Sequence, residues 1–304
     1  MRGFVLSAIY AGAILVVIGA ELFPATGIFL MFLVGPIWAA VIFNIWMVHL
    51  GVEAWTGRIA RPWLAVPVFF YLAYEATVIG IYFDARGVRD AIEQANALSA
   101  APPPHIAVVI DARPNEIGAN SAAPYAAVAD GFDVYYGDYL LKRFERGDPS
   151  CKAPFWDSRK IQPRFRVFGP MGRRECFIAV AAKAPRPAIH IVRVPDSPAA
   201  LEDSRRQGRS FAPAAILHRT DITLFSADGS RATLGHVQAG MIRYPVLLPL
   251  VIAGCALNSG APSWDCTFGP AQETMPVGGG EGYSDYDLSH AAYVLRLLHL
   301  PVRD

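Results

Sequence analysis

The chain reads as a membrane-anchored α+β protein, with three N-terminal transmembrane helices followed by a largely antiparallel-sheet extracytoplasmic domain. Three observations predict this class. Apolar stretches at Phe4–Ala20, Ile28–Leu50 and Pro62–Phe83 fill the first quarter of the 304 residues. Each is about as long as the roughly 20 helical residues that cross a hydrocarbon core. All four cysteines lie beyond those stretches, and short β-like runs separated by Gly, Pro and Asp turn residues dominate the remainder.

Orientation follows from charge. The loop from Glu21 to Gly27 carries no basic residue, whereas Arg2 precedes the first stretch and Arg58 and Arg61 separate the second from the third. The positive-inside bias then sets the N-terminus in the cytoplasm, and an odd number of crossings exports everything after Phe83. Arg86 and Arg89 lie on the exported side, accompanied by Asp84, Asp90 and Glu93. The expected location is a bacterial inner membrane with the C-terminal domain in the periplasm. Ile18 and Ala20 make a poor small-x-small cleavage site, so the first stretch is expected to be retained.

Composition fits two solvents in one chain. Hydrophobic residues make up 53%, yet 17% are charged, with a formal net charge of +1. A near-neutral balance gives no case for a nucleic-acid binder. The expected organisation is a three-helix anchor over 1–83, a helical stalk and Pro-rich linker over 84–104, and a domain over 105–304. About 220 residues are enough for a domain with its own core.

Cys151, Cys176, Cys255 and Cys266 form no C-x-x-C unit and have no histidine at zinc-finger spacing, so disulfides are favoured over metal. Four thiols allow three pairings. The expected one is Cys151 with Cys176 and Cys255 with Cys266, because local loops close most readily.

Element by element, Gly87–Leu98 continues the third apolar stretch as a stalk until three prolines at 102–104 interrupt it. His105–Ile110 reads as a buried strand. Tyr136, Leu140 and Phe144, four apart, read as an amphipathic helix ending near Gly147. Two hairpins are expected, one pairing Cys176–Ala182 with Ile189–Val194, the other pairing Asp221–Phe225 with Ala232–Val237 around Ala227-Asp228-Gly229-Ser230. Ser197, Pro198 and Gly208 punctuate a helix between them. Val246–Leu257 is too short and too proline-interrupted for a fourth crossing and reads as a buried strand. A final helix is expected from Asp285 to His299, capped by Ser284.

Candidate functional residues are few. Glu75 is a carboxylate within an apolar span, where it needs a partner, a proton or a polar pocket. Asn44 is the other intramembrane polar candidate. Counted along ideal helices from the cytoplasmic ends, Asn44 lies roughly 9 Å deep and Glu75 roughly 20 Å deep, too unequal for a direct pair without tilt. Between Lys152 and Arg174 seven basic residues face one acid, Asp157. Arg159, Lys160, Arg164, Arg166, Arg173 and Arg174, interleaved with Phe155, Trp156, Phe165 and Phe168, form a candidate surface for an acidic partner or lipid headgroups. The chain has no H-E-x-x-H helix, no P-loop and no complete G-x-S-x-G elbow. No catalytic residue, metal or cofactor is assigned. Asp285, Asp287 and His290 form a secondary acid/base or metal candidate, and Gly278–Gly282 a weak anion cradle.

Gly35-Pro36-Ile37-Trp38-Ala39-Ala40-Val41-Ile42-Phe43-Asn44 resembles the second-span pattern of type IV pilin accessory proteins, in which Gly-Pro opens an apolar run closed by Phe-Asn. The order of parts is similar. The resemblance covers the first 85 residues or so, with Gly35, Pro36, Phe43 and Asn44 matching in detail. This chain departs from it after Asn44, where the apolar run continues to Leu50, and in its paired cysteines. The resemblance implies a non-catalytic accessory or assembly role, with the lipid bilayer and an envelope protein client such as a pilin as partners. The competing expectation is a membrane-tethered periplasmic hydrolase acting on envelope material.

Overall fold

A computed structural model describes residues 2–23, 26, 38–98, 102–103, 106–111, 119–155, 163–167, 175–194, 214–257, 264–279 and 288–303. The described residues form an α+β structure in two compact units. One comprises Met1–Gly87, Leu201–Ala214 and Arg243–Thr274; the other comprises Val88–Ala200, Ala215–Ile242 and Met275–Asp304.

The first unit is built on three apolar helices, α1 (Arg2–Leu22), α2 (Trp38–Trp55) and α3 (Ala65–Ala95), with a 3₁₀ turn at Arg61–Leu64 opening α3. Only the stretch Arg61–Ala95 is long and apolar enough to cross a membrane among the described residues; Ala8–Leu22 and Ala40–Trp55 are shorter apolar helices. Pro62 sits in the first turn of its element, where a missing N–H costs nothing. α3 passes Gly80 and Gly87 without a break and turns polar in its last turns, where Arg89 Nε donates to Glu93 Oε1 at 3.0 Å.

The apolar side chains of these helices are turned outward. Leu15, Val16, Phe69 and Leu72 are 62–72% exposed, and Ile9, Val48, Val52, Phe83 and Trp55 are exposed as well. An amphipathic helix of a soluble protein buries that face. Strands β9 (Val251–Leu257) and β10 (Trp264–Pro270) belong to this unit and form a separate two-stranded antiparallel sheet. The strand expected from Val246 therefore begins at Val251, because Pro249 removes a backbone donor just upstream.

The second unit holds most of a nine-stranded sheet of order β11-β8-β7-β6-β1-β2-β3-β5-β4. Its strands are β1 (Ala107–Ile110), β2 (Val134–Tyr136), β3 (Tyr139–Glu145), β4 (Arg164–Val167), β5 (Glu175–Ala181), β6 (Ala188–Val194), β7 (Ala214–Phe225), β8 (Arg231–Pro245) and β11 (Gln272–Val277). Strands β2–β3, β3–β5, β4–β5 and β6–β7 pair antiparallel, but β1 runs parallel to both β2 and β6. Between β1 and β2 lies the short helix α4 (Ala123–Val128). It packs with α5 (Leu288–Leu297) on one face of the sheet, burying Val108, Ile110, Phe165, Phe177, Ile189, Ile222, Val294 and Leu295 in one cluster. Alternate residues of the central strands, Ala107, Val109, Tyr135 and Ala188, form a smaller cluster on the opposite face.

Two sequence expectations are corrected here. Tyr136–Phe144 is a hairpin, not a helix. A spacing of four is even, so it satisfies a strand's two-residue period as well as a helical turn, and Gly137 with φ of 54° breaks the run at a two-residue turn. Strands β5 and β6 are not partners: β5 lies between β3 and β4, whereas β6 joins β1 and β7. The connection Ala182–Pro187 carries the chain to the far side of the central parallel strands. The second expected hairpin is present in extended form. β7 and β8 are neighbours joined by a turn in which Ser226 N–H donates to Ser230 O, and Asp228 accepts from Ser230 N–H at 2.9 Å. The helix expected after Ser197 and the cap at Ser284 lie outside the described residues.

The sheet ends in guarded edges. β4 is a four-residue strand bearing Arg164 and Arg166, and Phe155 bridges Arg166 on its outer side. At the opposite edge β11 contains Pro276, which removes one ladder donor.

Candidate functional site

Residues of the helical unit that differ from their apolar surroundings converge on one cluster. Asn44, on α2, donates through Nδ2 to its own helix at Ala40 O (2.8 Å) and to Pro249 O (3.2 Å); its Oδ1 accepts from Tyr71 Oη of α3 at 2.7 Å. One turn along α3, Tyr74 Oη lies 2.8 Å from Val246 O and 3.1 Å from Leu248 O, so a single hydroxyl serves both carbonyls. Further along, the Tyr82 ring meets that of Tyr244 edge to face, with centroids 5.6 Å apart. Tyr244 Oη donates to Glu273 Oε2 at 2.9 Å.

Asn44 therefore has partners that sequence reasoning did not find, because Pro249 lies 205 residues away. The available signal was the pair Tyr71 and Tyr74, three apart in an apolar helix. Also missed are the buried carboxylates Glu21 and Glu53, 1% and 9% exposed. Glu53 approaches His49 Nδ1 at 3.9 Å, and the His49 ring lies 5.8 Å from that of Tyr10.

Glu75 stands apart from this cluster. Val68, Leu72, Glu75, Ile79 and Phe83 follow one another along α3 at spacings of four, three, four and four. The four apolar members are 46–62% exposed, and Glu75 is half-buried. Among the described residues no side chain offers Glu75 a hydrogen bond or an ion pair.

In the second unit Cys151 and Cys176 form a disulfide with a Cα separation of 5.9 Å. It ties the 3₁₀ turn at Pro149–Lys152 to strand β5. Asp148 caps the short 3₁₀ turn at Pro149–Lys152 by accepting from Ser150 N–H at 2.7 Å. In the first unit, Cys255 and Cys266 are register partners on β9 and β10. Directly opposed residues of an antiparallel pair stand about 4.5–5.5 Å apart, within the span of a disulfide.

Only part of the basic segment is described. Arg164 is exposed; Arg166 donates through Nη1 to Cys151 O at 3.0 Å and stacks its guanidinium 3.6 Å from the Phe155 ring centre. Arg166 therefore holds the 151–155 loop and is not a free cation. Arg159, Lys160, Arg173 and Arg174 lie outside the described residues, as do Asp285 and Asp287. His290 is described, with Nδ1 3.0 Å from Gly278 O.

Gly278 and Gly279 form a fitted turn. Both have positive φ, and a Cβ on Gly279 would stand 2.6 Å from Ser289 O and from Tyr293 Cβ of α5. Gly279 is thus fitted to a helix and Gly278 to strand β8, where a Cβ would meet Gln238 O, while Gly280–Gly282 lie outside the described residues.

One acid/base pair was not anticipated. At the carboxyl end of β1, Asp111 places its carboxylate oxygens 3.0 and 3.2 Å from His190 Nδ1 on the parallel strand β6. Both side chains are partly exposed. The His190 ring packs 4.0 Å from Phe225, whose face carries the Arg231 guanidinium at 4.8 Å. A cavity of about 440 Å³ opens at the other end of the same strands, beside Ala107, Asp133, Arg143 and Arg303. Its arginines are committed, Arg143 to Ala127 O and Glu175 and Arg303 to Asp130. No cluster of three or more metal-ligating side chains occurs among the described residues.

No protein-family profile, no curated protein sequence and no solved structure matches the chain. Function must be argued from these sites alone.

Proposed function

We propose that the chain is a non-catalytic accessory or assembly factor of a bacterial inner membrane, holding an envelope protein client such as a pilin subunit. In this reading α1, α2 and α3 are three membrane spans, the N-terminus is cytoplasmic and the sheet domain is periplasmic. Outward-facing apolar side chains on all three helices, with Asn44 paired to Tyr71 and Tyr74 bonded to main-chain carbonyls, support immersion in hydrocarbon. The Cys151–Cys176 disulfide supports an oxidising compartment.

The observation that carries the binding role is Glu75. A carboxylate on an exposed apolar stripe is costly in lipid unless a partner supplies a donor or a cation. A client helix bearing such a group satisfies both the stripe and the charge. The test is in-membrane photo-crosslinking from Leu72 or Ile79. An adduct with a pilin or another assembly subunit that disappears in Glu75→Leu, while the Cys151–Cys176 bond stays oxidised, supports the role. Adducts with lipid alone count against it.

A second reading, a membrane-tethered periplasmic hydrolase acting on envelope material, is favoured by the Asp111–His190 pair, in which Asp111 follows the carboxyl end of β1, the end of a parallel strand where α/β proteins place ligands. A carboxylate that orients an imidazole is half of an acid/base device. Purified protein should then release soluble fragments from isolated envelope, and Asp111→Asn should abolish the release. Inert wild-type protein removes this reading.

A further inference from the structure

We infer that Tyr244–Leu250 is a re-entrant segment that enters the hydrocarbon at Pro249 and presents Leu247 and Leu248 to lipid acyl chains. The inference rests on the membrane placement of the helices proposed above and adds a fourth, non-helical element to it.

The descent can be read along α3. Tyr244 packs against Tyr82, Val246 and Leu248 are held by Tyr74, and Pro249 is held by Asn44, which Tyr71 holds in turn. From Tyr82 to Tyr71 the helix axis covers about 16 Å, roughly half of a hydrocarbon core. The segment therefore follows α3 well past an interface marked by the Tyr82–Tyr244 pair.

Backbone at that depth must find its hydrogen bonds within the protein. It does so here. The carbonyls of Val246, Leu248 and Pro249 accept from Tyr74 and Asn44. Val246 N–H donates to Ala271 O, Ala271 N–H to Leu250 O, and Leu250 N–H to Leu248 O. Pro249 has no N–H to satisfy. β9 and β10 then pair with each other over seven residues, from Val251 opposite Pro270 to Leu257 opposite Trp264.

The side chains are disposed the opposite way. Leu247 and Leu248 are 58% and 61% exposed. A water-facing loop would reverse this arrangement, with polar side chains outward and carbonyls hydrated. Apolar side chains outward and main-chain polarity inward is the pattern that hydrocarbon selects.

The experiment uses the full chain in vesicles of phosphatidylethanolamine and phosphatidylglycerol, with a photoreactive amino acid placed singly at Val16, Leu247, Leu248 or Asp228. Lipid adducts at Leu247 and Leu248, equal in yield to those at Val16 and lost at Asp228, are the expected result. Adducts at Val16 without any at Leu247 or Leu248 overturn the re-entrant segment while leaving the membrane reading intact. Absence at Val16 as well overturns both. Protein adducts in place of lipid at Leu248 also overturn the proposal. Tyr74→Phe, which removes the shared donor and leaves the ring, should reduce lipid labelling at Leu248 and leave it unchanged at Val16; unchanged labelling at Leu248 would mean that the tyrosine does not hold the segment.

Discussion

Replacing Asn96 with Asp is expected to destabilise the sheet domain by about 3–5 kcal/mol, the range for stranding a charge in a protein interior. Asn96 follows directly on the last turn of α3 and is 2% exposed. Its Nδ2 donates to Gln238 O at 2.7 Å, and its Oδ1 accepts from Gln238 N–H at the same distance. The side-chain amide thus imitates a neighbouring strand and satisfies both main-chain groups of one residue of β8. An aspartate keeps the acceptor but loses the donor, leaving Gln238 O facing a carboxylate. The Tyr293 hydroxyl, 3.4 Å from Nδ2, can relieve only part of this. Asn96→Ala removes the pairing without adding charge and is expected to cost about 1–3 kcal/mol. Urea unfolding followed by near-ultraviolet circular dichroism separates the two. Equal midpoints for wild type and Asn96→Asp would show that the amide does not carry the pairing.

Removing the Cys151–Cys176 bridge is expected to cost about 3.5 kcal/mol, from the chain-entropy estimate for a closed loop of its length. The separation is 25 residues. Within it lie the Arg166–Phe155 stack and edge strand β4, with the Asp148 cap just before it, and none of these has a deep core beneath it except at Phe165 and Val167. The double replacement Cys151→Ser with Cys176→Ser should therefore lower the unfolding midpoint and expose the 151–167 segment to protease first. If the double mutant is cut first elsewhere, the bridge is not what fastens that edge.

Much of the fold class was legible because it rests on local rules. The apolar run at Ala107–Ile110, the turn around Asp228-Gly229 and the amphipathic positions of the last helix all declare themselves within a few residues. The Cys151–Cys176 pairing followed from the same preference for nearby partners. Order within the sheet was not legible. Nothing near Ile189 says that its neighbour is Val108, 81 residues earlier, and the natural assumption that consecutive strands pair failed at β5 and β6. Tyr136–Phe144 failed for a different reason, since one spacing served two periods. The candidate sites divide the same way. Glu75 is visible as a charge in an apolar run, but Asn44 with Pro249 and Asp111 with His190 exist only after long-range closure, 205 and 79 residues apart.

The guarded rims of the large sheet bear on how the molecule meets others. Amyloid-like growth and strand donation both require an open row of main-chain donors and acceptors along a flat flank. Here one flank is a short cationic strand already bridged by Phe155, and the other is interrupted by a proline. Recognition by lending or borrowing a strand is thereby disfavoured at either rim of the described sheet.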